Sequence, residues 1–418
     1  MKTRPAEVAF LPVKDYNDYK FWLWKVYEMK KIMTILLAGA VLFSGCSLPR
    51  ITELPETDTD SSFTADGLIV TEELAEAYDF SAEAYRQLTR IASEFPNRDA
   101  FAPEGADNMH DACVAFIVSE LEVAGYAEED ISLMLSDVDY WGQSHTITNI
   151  QATLKGRDDT KQIIIGAHYD GDGVGDNGSG TALLLSTAAG LKAAETLPEY
   201  TIKMVFFDAE EYGLYGSYAY TEEMSSKDAD RTVFFINMDA LSFGDYCNIY
   251  GGSESLTGKV KDTEVYDYAV DIARSIGITV YTTEDLDGYY ASHGCGPEID
   301  EGALYTNPWT RENPAPANNW AYSPMTIPAS DHVGFMDLGI PYVYFEATNW
   351  YADGDDPESD IAYTGYYETT DTSIGENGMF MNTEYDTLEN MESYFPGRAL
   401  KHFSVYSRLL SALAMGHE

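Results

Sequence analysis

Imidazole and carboxylate side chains stand next to four apolar runs of the sequence, where a β-strand would end or begin. Their motifs are His168-Tyr169-Asp170, Asp208-Ala209-Glu210-Glu211, Asn237-Met238-Asp239 and Ser330-Asp331-His332. The chain has only 7 histidines, and two of them lie in these motifs. Because a buried charge must be paired or bound to a metal, and because imidazole and carboxylate groups are zinc ligands, the pattern predicts a metal-dependent hydrolytic site.

Each of these signals has a plain structural explanation when it is taken alone. Glu210-Glu211 could be a solvated pair in a chain with 70 acidic residues, since most charges lie on surfaces. His168 and His332 could each be a hydrogen-bonded core histidine. The glycine-rich residues 171–180 could be only a flexible turn; they lack the lysine of a phosphate-binding loop and contain two aspartates. Four such signals at successive strand ends favour a site.

The elements that would position these side chains alternate between strand and helix. Apolar runs that predict strands are followed by stretches of helical periodicity, and near-continuous apolar strands are typical of strands buried on both faces. We therefore predict one α/β catalytic domain with a central mixed, mostly parallel sheet flanked by helices, and ligands at the carboxyl ends of its strands. The predicted strands are residues 146–154, 162–167, 202–207, 233–238 and 342–345, and the predicted helices are residues 72–91, 109–123, 180–194, 213–223 and 260–276.

The charge balance excludes one class of partner. The 418 residues include 25 basic and 70 acidic side chains, a formal net charge of -45. A surface of that sign repels nucleic acid and anionic lipid headgroups. Four cysteines are too few for a disulfide scaffold.

The N-terminal region predicts export. Met29 is followed by two lysines, a short apolar run and Ser44-Gly45-Cys46, which is the layout of a secretory signal. The last residues resemble the lipobox of bacterial lipoproteins, in which the cysteine becomes lipidated. We expect an exported protein, anchored at the bacterial cell surface or envelope through a lipid on Cys46. The expected layout is a non-native extension over 1–28, a signal peptide over 29–45, an acidic tether over 46–66 and the catalytic domain over 67–418, with long loops at 282–330 and 347–385.

The motifs together resemble the M28 family of zinc peptidases, which includes two-metal aminopeptidases. The likeness runs through residues 80–415 in the family's order. The resemblance implies His168, Asp176, Glu211, Asp239 and His332 as metal ligands, with Asp176 bridging the two metals. It implies Glu210 as the general base and Asp170 as the carboxylate that orients His168. A later family pattern, His-Thr-x-x-Asp-Thr, appears with Asn382 in place of its histidine, which leaves this implied ligand set intact.

The activity that the resemblance implies is removal of N-terminal residues from peptides with a free N-terminus. Two zinc ions per chain would polarise the scissile carbonyl and hold a bridging hydroxide, and Glu210 would carry its proton to the leaving amine.

Two other interpretations stay open. Glutaminyl cyclases resemble this family and use one zinc, and an aromatic loop with Tyr289, Tyr290, Trp309, Trp320 and Tyr322 could wall such a pocket. A metal-free peptide-binding relative is the other alternative. Beyond Cys46, the pairing of Cys113, Cys247 and Cys295 is not fixed by the sequence.

Overall fold

The computed structural model describes residues 78–103, 107–194, 196–252, 264–282, 299–306, 330–349 and 368–416, apart from 370, 372 and 377, together with a few isolated short segments. The predicted signal peptide and the five aromatic residues named for the loop lie outside the described residues, and of the predicted tether only Thr64–Ala65 is described. Within the described part, no helix is long and apolar enough to cross a membrane.

In chain order the described strands are β1 (Thr64–Ala65), β2 (Leu68–Ile69), β3 (Ile131–Tyr140), β4 (Gln143–Leu154), β5 (Asp158–His168), β6 (Tyr200–Phe207), β7 (Thr232–Met238), β8 (Tyr246–Gly252), β9 (Glu254–Ser255), β10 (Lys259–Val260), β11 (Val280–Tyr281), β12 (Leu304–Thr306) and β13 (Tyr342–Thr348). Nine of these strands form one sheet, in the order β11-β12-β8-β13-β7-β5-β6-β4-β3. β1 pairs with β2, and β9 pairs with β10, as separate antiparallel ribbons.

The centre of the sheet is parallel. β5 pairs in parallel with β6 and β7, and β13 pairs in parallel with β7. The antiparallel pairs are β3 with β4, β4 with β6, and β8 with β13. The sheet is therefore mixed and mostly parallel, and the carboxyl ends of β5, β6 and β7 meet at one edge, where ligands bind in this class of sheet.

Helices cover both faces of the sheet. They are α1 (Ser81–Glu94), α2 (His110–Val123), α3 (Gly178–Ala193), α4 (Tyr215–Glu223), α5 (Ser226–Arg231), α6 (Glu264–Ser275), α7 (His332–Asp337), α8 (Leu388–Tyr394) and α9 (Arg398–Met415). Successive residues of a strand point to opposite faces, so Ile163 and Ile165 enter the larger apolar layer with α1, α2, α3, α6 and α9. Ile164 enters the smaller layer with α4 and α7.

The predicted fold class is confirmed, and the differences lie at element ends and in elements that the sequence analysis passed over. In the described part of the helix predicted over 72–91, the helix begins at Ser81. Residues 78–80 are a turn and coil, in which Asp79 accepts a hydrogen bond from the Ser81 backbone at 3.0 Å; residues 72–77 lie outside the described part. β3, β8, α7 and α9 were not predicted. β3 is an edge strand with exposed leucines, and α9 has polar residues within its apolar face, so both lack a clear hydrophobic pattern.

Two of the three cysteines left open are settled. Cys113 and Cys247 are both buried and free, so they do not pair with each other. Cys295 lies outside the described residues.

Candidate metal centre

The site forms at the edge where the parallel strands end. His168 is the last residue of β5, and Asp239 directly follows β7. Glu210 and Glu211 lie in the turn after β6, three and four residues beyond Phe207. The register pairs His168 with Phe207 and Gly166 with Asn237. The strand-end motifs therefore converge because their strands are parallel neighbours.

His168 is the centre of the cluster. Its imidazole is fully buried, and Nε2 lies 3.2 Å from Asp176 Oδ1 and 3.3 Å from Asp239 Oδ1. Glu210 Oε2 is farther away, at 3.9 Å from the same nitrogen. His168, Glu210 and Asp239 each offer one ligand atom within 4.8 Å of the others. One imidazole nitrogen thus faces three carboxylates.

Asp170 links His168 to the turn that carries both glutamates. Its Oδ1 lies 3.4 Å from His168 Nδ1, the nitrogen that points away from the other carboxylates. The same carboxylate accepts backbone N–H groups from Glu210 at 3.0 Å and Glu211 at 3.3 Å. Asp170 is therefore placed to orient the histidine, as a carboxylate behind a ligand histidine does, and to fix the turn that carries the glutamates.

The loop before α3 presents Asp176 to the cluster. Asp386 accepts backbone N–H groups from Val174, Gly175 and Asp176 at 2.9, 2.6 and 3.0 Å. On the other side of the loop, the Asn382 side-chain amide donates to Asp176 Oδ2 at 3.1 Å. The segment that corresponds to the family's later pattern therefore contacts this aspartate twice, once through its backbone and once through its carboxylate.

Arg98 holds the loop that follows His168. The side chain is 1% exposed, and its guanidinium donates to the carbonyl oxygens of Tyr169, Phe95 and Gly173 at 2.8, 2.9 and 2.8 Å. Its backbone N–H donates to the Gly171 carbonyl at 2.9 Å. No motif in the sequence indicates this residue, because an arginine can bind backbone carbonyls in any sequence context.

The electrostatics of the cluster are those of crowded anions. Burial raises the pKa of Glu210 well above its usual range, and Asp239, Asp331 and Glu211 raise it further. Burial and Asp176 raise the pKa of Glu211 in the same way, and burial with Asp239 raises the pKa of Asp176 to about 6. In each case His168 acts in the opposite direction. Such crowding is the setting in which proteins bind a divalent cation.

Asp239 is the exception among these carboxylates. Burial would raise its pKa, but His168 and a hydrogen bond from the Ser330 hydroxyl at 2.8 Å hold the pKa below its usual value. Asp239 therefore keeps its negative charge beside the imidazole, as a ligand must.

Two further acidic groups belong to the same surroundings and were not singled out from sequence. Asp331 is fully buried, and burial with Asp239 raises its pKa to about 7. Glu346 accepts hydrogen bonds from the hydroxyls of Tyr344 and Tyr250, each at 3.0 Å, and burial with Asp239 raises its pKa to about 8. Asp331 stands in one of the strand-end motifs, so the signal for it was present.

His332, the fifth predicted ligand, lies on α7 rather than at a strand end. Its ring stacks on Tyr342 and Tyr344 of β13, with ring centroids 4.7 and 5.1 Å apart. Within the described residues it is not part of the group of His168, Glu210 and Asp239. Its role as a ligand stays a prediction, as do the roles of the other site residues.

The donor set fits one divalent metal ion. Two ligand atoms that each lie about 2.0–2.1 Å from a tetrahedral zinc are about 3.3 Å from each other. The distances from His168 Nε2 to Asp176 and Asp239, 3.2 and 3.3 Å, match that separation. Glu210, at 3.9 Å, lies beyond it. This geometry suits an imidazole and two carboxylates as ligands, with Glu210 beside them.

Comparisons with known proteins place this centre in context. Residues 149–293 match the model of peptidase family M28, which confirms the predicted resemblance over that stretch. The match includes His168, Asp170, Asp176, Glu210, Glu211 and Asp239, and it leaves Asp331, His332 and Asn382 outside.

Curated relatives share the same part of the chain. Leucine aminopeptidase 2 of Trichophyton equinum is 28% identical over 131 residues, which are 29% of this chain and 26% of the relative. An aminopeptidase of Pseudomonas aeruginosa is 30% identical over 147 residues, which are 34% of this chain and 27% of the relative. The chain thus spans about a quarter of the length of these relatives.

Among solved structures, a glutaminyl cyclase from an Acidobacteriales bacterium superposes with a TM-score of 0.52. The two chains are 15% identical, and the match covers 80% of this chain and 95% of the cyclase. At this identity the likeness establishes a shared fold.

Proposed function

We propose that this protein is a zinc-dependent aminopeptidase that removes N-terminal residues from peptides. The observation that carries the proposal is the position of His168 Nε2 at 3.2 and 3.3 Å from two carboxylate oxygens, with the Glu210 carboxylate next to them. The match to peptidase family M28 over the residues that hold this geometry supports a peptidase, and the aminopeptidase relatives support the exopeptidase class.

Zinc would be held by His168, Asp176 and Asp239, where it would supply Lewis-acid polarisation of a carbonyl and lower the pKa of water. Glu210 is the residue that moves protons. Its carboxylate would accept a proton from the attacking water and deliver that proton to the amine that leaves. A base needs a pKa near the working pH, and burial moves the pKa of Glu210 upward from its usual value.

The remaining residues position the reacting groups. Asp170 fixes the turn of Glu210 through two backbone hydrogen bonds and faces His168 Nδ1. Arg98 and Asp386 hold the loops on either side of the histidine and of Asp176. The family resemblance implies two zinc ions, whereas the described side chains bring one histidine to the carboxylates. Dependence on zinc and the number of ions are therefore separate questions.

The test is a zinc-supplemented assay on paired peptides, free and N-acetylated, read by mass spectrometry. We expect stepwise loss of single N-terminal residues from the free peptides only. Cleavage of acetylated peptides would move the enzyme to another peptidase class, and loss of ammonia from N-terminal glutamine alone would make it a glutaminyl cyclase. No change in any peptide, with zinc bound, would contradict the peptidase proposal.

Glu210→Gln gives the matched variant for the same assay. We expect turnover to fall by at least about 10²-fold, since general-base catalysis contributes 10²–10⁴-fold, while zinc content stays near that of the unchanged protein. Retained activity would show that Glu210 is not the base, and loss of zinc would show that it is a ligand. Glu384→Gln, an exposed glutamate outside the cluster, controls for the change of charge.

We further propose that the protein is exported and anchored by a lipid on Cys46, where it would meet peptides outside the cytoplasm. The support is the sequence of residues 29–46. Metabolic labelling with a radioactive fatty acid should mark the protein and leave Cys46→Ser unlabelled. Equal labelling of both proteins would show that the lipid is attached to another residue. No label in either protein would contradict the proposed lipid anchor.

A further inference from the structure

We infer that this centre binds one metal ion per chain, and that Asn382 occupies the side of Asp176 on which a second ion would need a ligand. The inference rests on the metal dependence in the proposed function, and it departs from the two ions that the family resemblance implies. It concerns the number of ions and not the reaction, so the two proposals can fail separately.

The first ion has a complete set of protein donors. His168, Asp176 and Asp239 present one nitrogen and two oxygens with separations of 3.2 and 3.3 Å from the nitrogen. Three protein ligands and one open position are the usual arrangement of a catalytic zinc.

The second oxygen of the bridging aspartate is engaged by the protein itself. Asn382 donates its side-chain amide N–H to Asp176 Oδ2 at 3.1 Å. The orientation of the amide follows from its partner, because turning it over would set two acceptor oxygens against each other. The NH₂ group has no lone pair for a metal. An ion bridged through Oδ2 would therefore have to displace a hydrogen bond and would gain no ligand from Asn382 in this orientation.

The histidine expected for a second ion lies outside the metal-capable group of His168, Glu210 and Asp239 in the described part of the chain. The faces of the His332 ring stack on Tyr342 and Tyr344. The protein ligands that remain for a second ion are the carboxylates of Glu211 and Asp176. Zinc sites with protein ligands of carboxylate alone depart from the histidine-containing sets that catalytic zinc uses.

Position 382 could accept a histidine without disturbing the fold. Asn382 is exposed, and its φ of 57° lies in the left-handed region, which asparagine, aspartate and histidine adopt more readily than other residues with a side chain. Asn382→His would place an imidazole beside Asp176 Oδ2 and would restore the residue of the family pattern. One substitution can therefore test whether the lack of a nitrogen ligand beside Asp176 Oδ2 is what limits the number of ions.

The experiment counts metal in the purified full chain. The protein is stripped with a chelator, loaded with excess zinc, passed over a desalting column in the presence of a weak competing chelator, and measured by elemental analysis. We expect about one zinc per chain in the unchanged protein and about two in Asn382→His, because a second histidine gives the second ion a nitrogen ligand. His332→Ala should keep about one zinc.

Matched controls isolate the position of the new imidazole. Asn390→His introduces the same substitution in α8, where the asparagine amide donates to the Tyr385 carbonyl at 2.9 Å, and it should stay at about one zinc. Circular dichroism checks that each variant is folded. Loading with cobalt gives a second readout, since two neighbouring Co²⁺ ions couple magnetically and one does not.

Two tight zinc ions in the unchanged protein would overturn the inference, and so would loss of an ion in His332→Ala. If Asn382→His still bound one ion while folded, the role given to Asn382 would be wrong. A peptide assay without turnover would contradict the proposed function and leave the ion count untouched, whereas two ions with full aminopeptidase activity would contradict only the inference.

Discussion

Two groups of buried and half-buried carboxylates in this molecule have opposite surroundings. In the first, which we call the arginine cluster, Arg398 contacts Asp245 at 3.0 Å and Glu301 at 2.8 Å, and Lys401 contacts Glu301 at 2.6 Å. In the second, the metal centre, one imidazole faces Asp176, Asp239 and Glu210. Both groups contain acids withdrawn from water, but among the described residues only those of the arginine cluster have permanent cations in contact with them.

The pKa directions follow this difference. Burial would raise the pKa of Glu301, but hydrogen bonds and charge from Lys401 and Arg398 bring it below its usual value. Burial and neighbouring acids instead leave the pKa of Glu210 and Glu211 well above the usual value. A carboxylate that is buried and paired is part of the architecture, whereas carboxylates crowded together with one imidazole mark a functional site.

The largest expected effect comes from breaking the arginine cluster. Arg398→Met removes the cation and leaves Asp245 and Glu301 without it, so the free energy of unfolding should fall by about 3–5 kcal/mol. Urea denaturation measures this change. Zinc content should not change, because the cluster contributes no ligand to the metal centre.

Lys401→Met is the control for that prediction. Its side chain is 58% exposed and contacts the same glutamate, so its loss should cost no more than about 1 kcal/mol. Equal losses from the two variants would mean that burial does not distinguish the two cations.

An intermediate effect of opposite sign is expected at the metal centre. Asp331 has a folded-state pKa of about 7, above its usual value. Between pH 3.8, the usual pKa of an aspartate, and about pH 7, the folded protein holds a proton that the unfolded chain has lost. Stability therefore falls as pH rises through this range. In chelator-treated protein, Asp331→Asn should therefore raise the free energy of unfolding at pH 8 by at most about 4 kcal/mol, since the pKa is raised by about three units and one unit corresponds to about 1.4 kcal/mol.

The gain should shrink at pH 5, where the Asp331 carboxyl is protonated in the folded protein. Urea denaturation of both proteins at the two pH values measures the difference. Destabilisation by Asp331→Asn at pH 8 would show that this carboxylate is paired like those of the arginine cluster.

The smallest effect concerns Asp208, a buried carboxylate outside both groups, whose partner is the titratable side chain of His110. His110 Nε2 lies 2.7 Å from Asp208 Oδ1. Burial alone would lower the pKa of His110, but Asp208 raises it to about 8. A raised histidine pKa contributes stability that is fully present below about 6.5 and is lost as pH rises through about 8. His110→Gln should therefore cost about 1–2 kcal/mol more at pH 6 than at pH 9.

Tyr126→Phe serves as the control for this pH dependence. The Tyr126 hydroxyl donates to the Ala188 carbonyl at 3.0 Å, and burial raises its pKa, so it stays neutral across this range. Its loss should cost the same at pH 6 and pH 9. A pH-independent cost for His110→Gln would exclude the charged pair.

The parts of the site that the sequence predicted share one physical cause. Apolar runs predicted the parallel strands, and the ends of parallel strands meet, so His168, Asp239 and the Glu210 turn came together as expected. Asp170 Oδ1 lies 3.4 Å from His168 Nδ1, and its role in orienting the histidine stays a prediction.

The parts that the sequence did not predict depend on contacts between distant segments. The sequence indicates only that Asn382 replaces a histidine of the family pattern outside the implied ligand set. The folded chain sets its amide 3.1 Å from Asp176, 206 positions away. His332 lies on α7, a helix that local periodicity did not reveal, and its expected role as a ligand stays a prediction. Arg98 binds carbonyl oxygens, which every residue offers, so no pattern of side chains could indicate it.

The hydrogen bonds from Arg98 and to Asp386 that fix the loops around His168 and Asp176 have a thermodynamic consequence. In many small zinc domains the apo chain is unfolded, and part of the metal's binding free energy is used to order the ligands. Here three guanidinium hydrogen bonds and three backbone amides bound to Asp386 fix the loops without help from a metal. Zinc should therefore bind and leave as a ligand of a folded protein, and the conformational entropy of these loops should be almost the same before and after it binds.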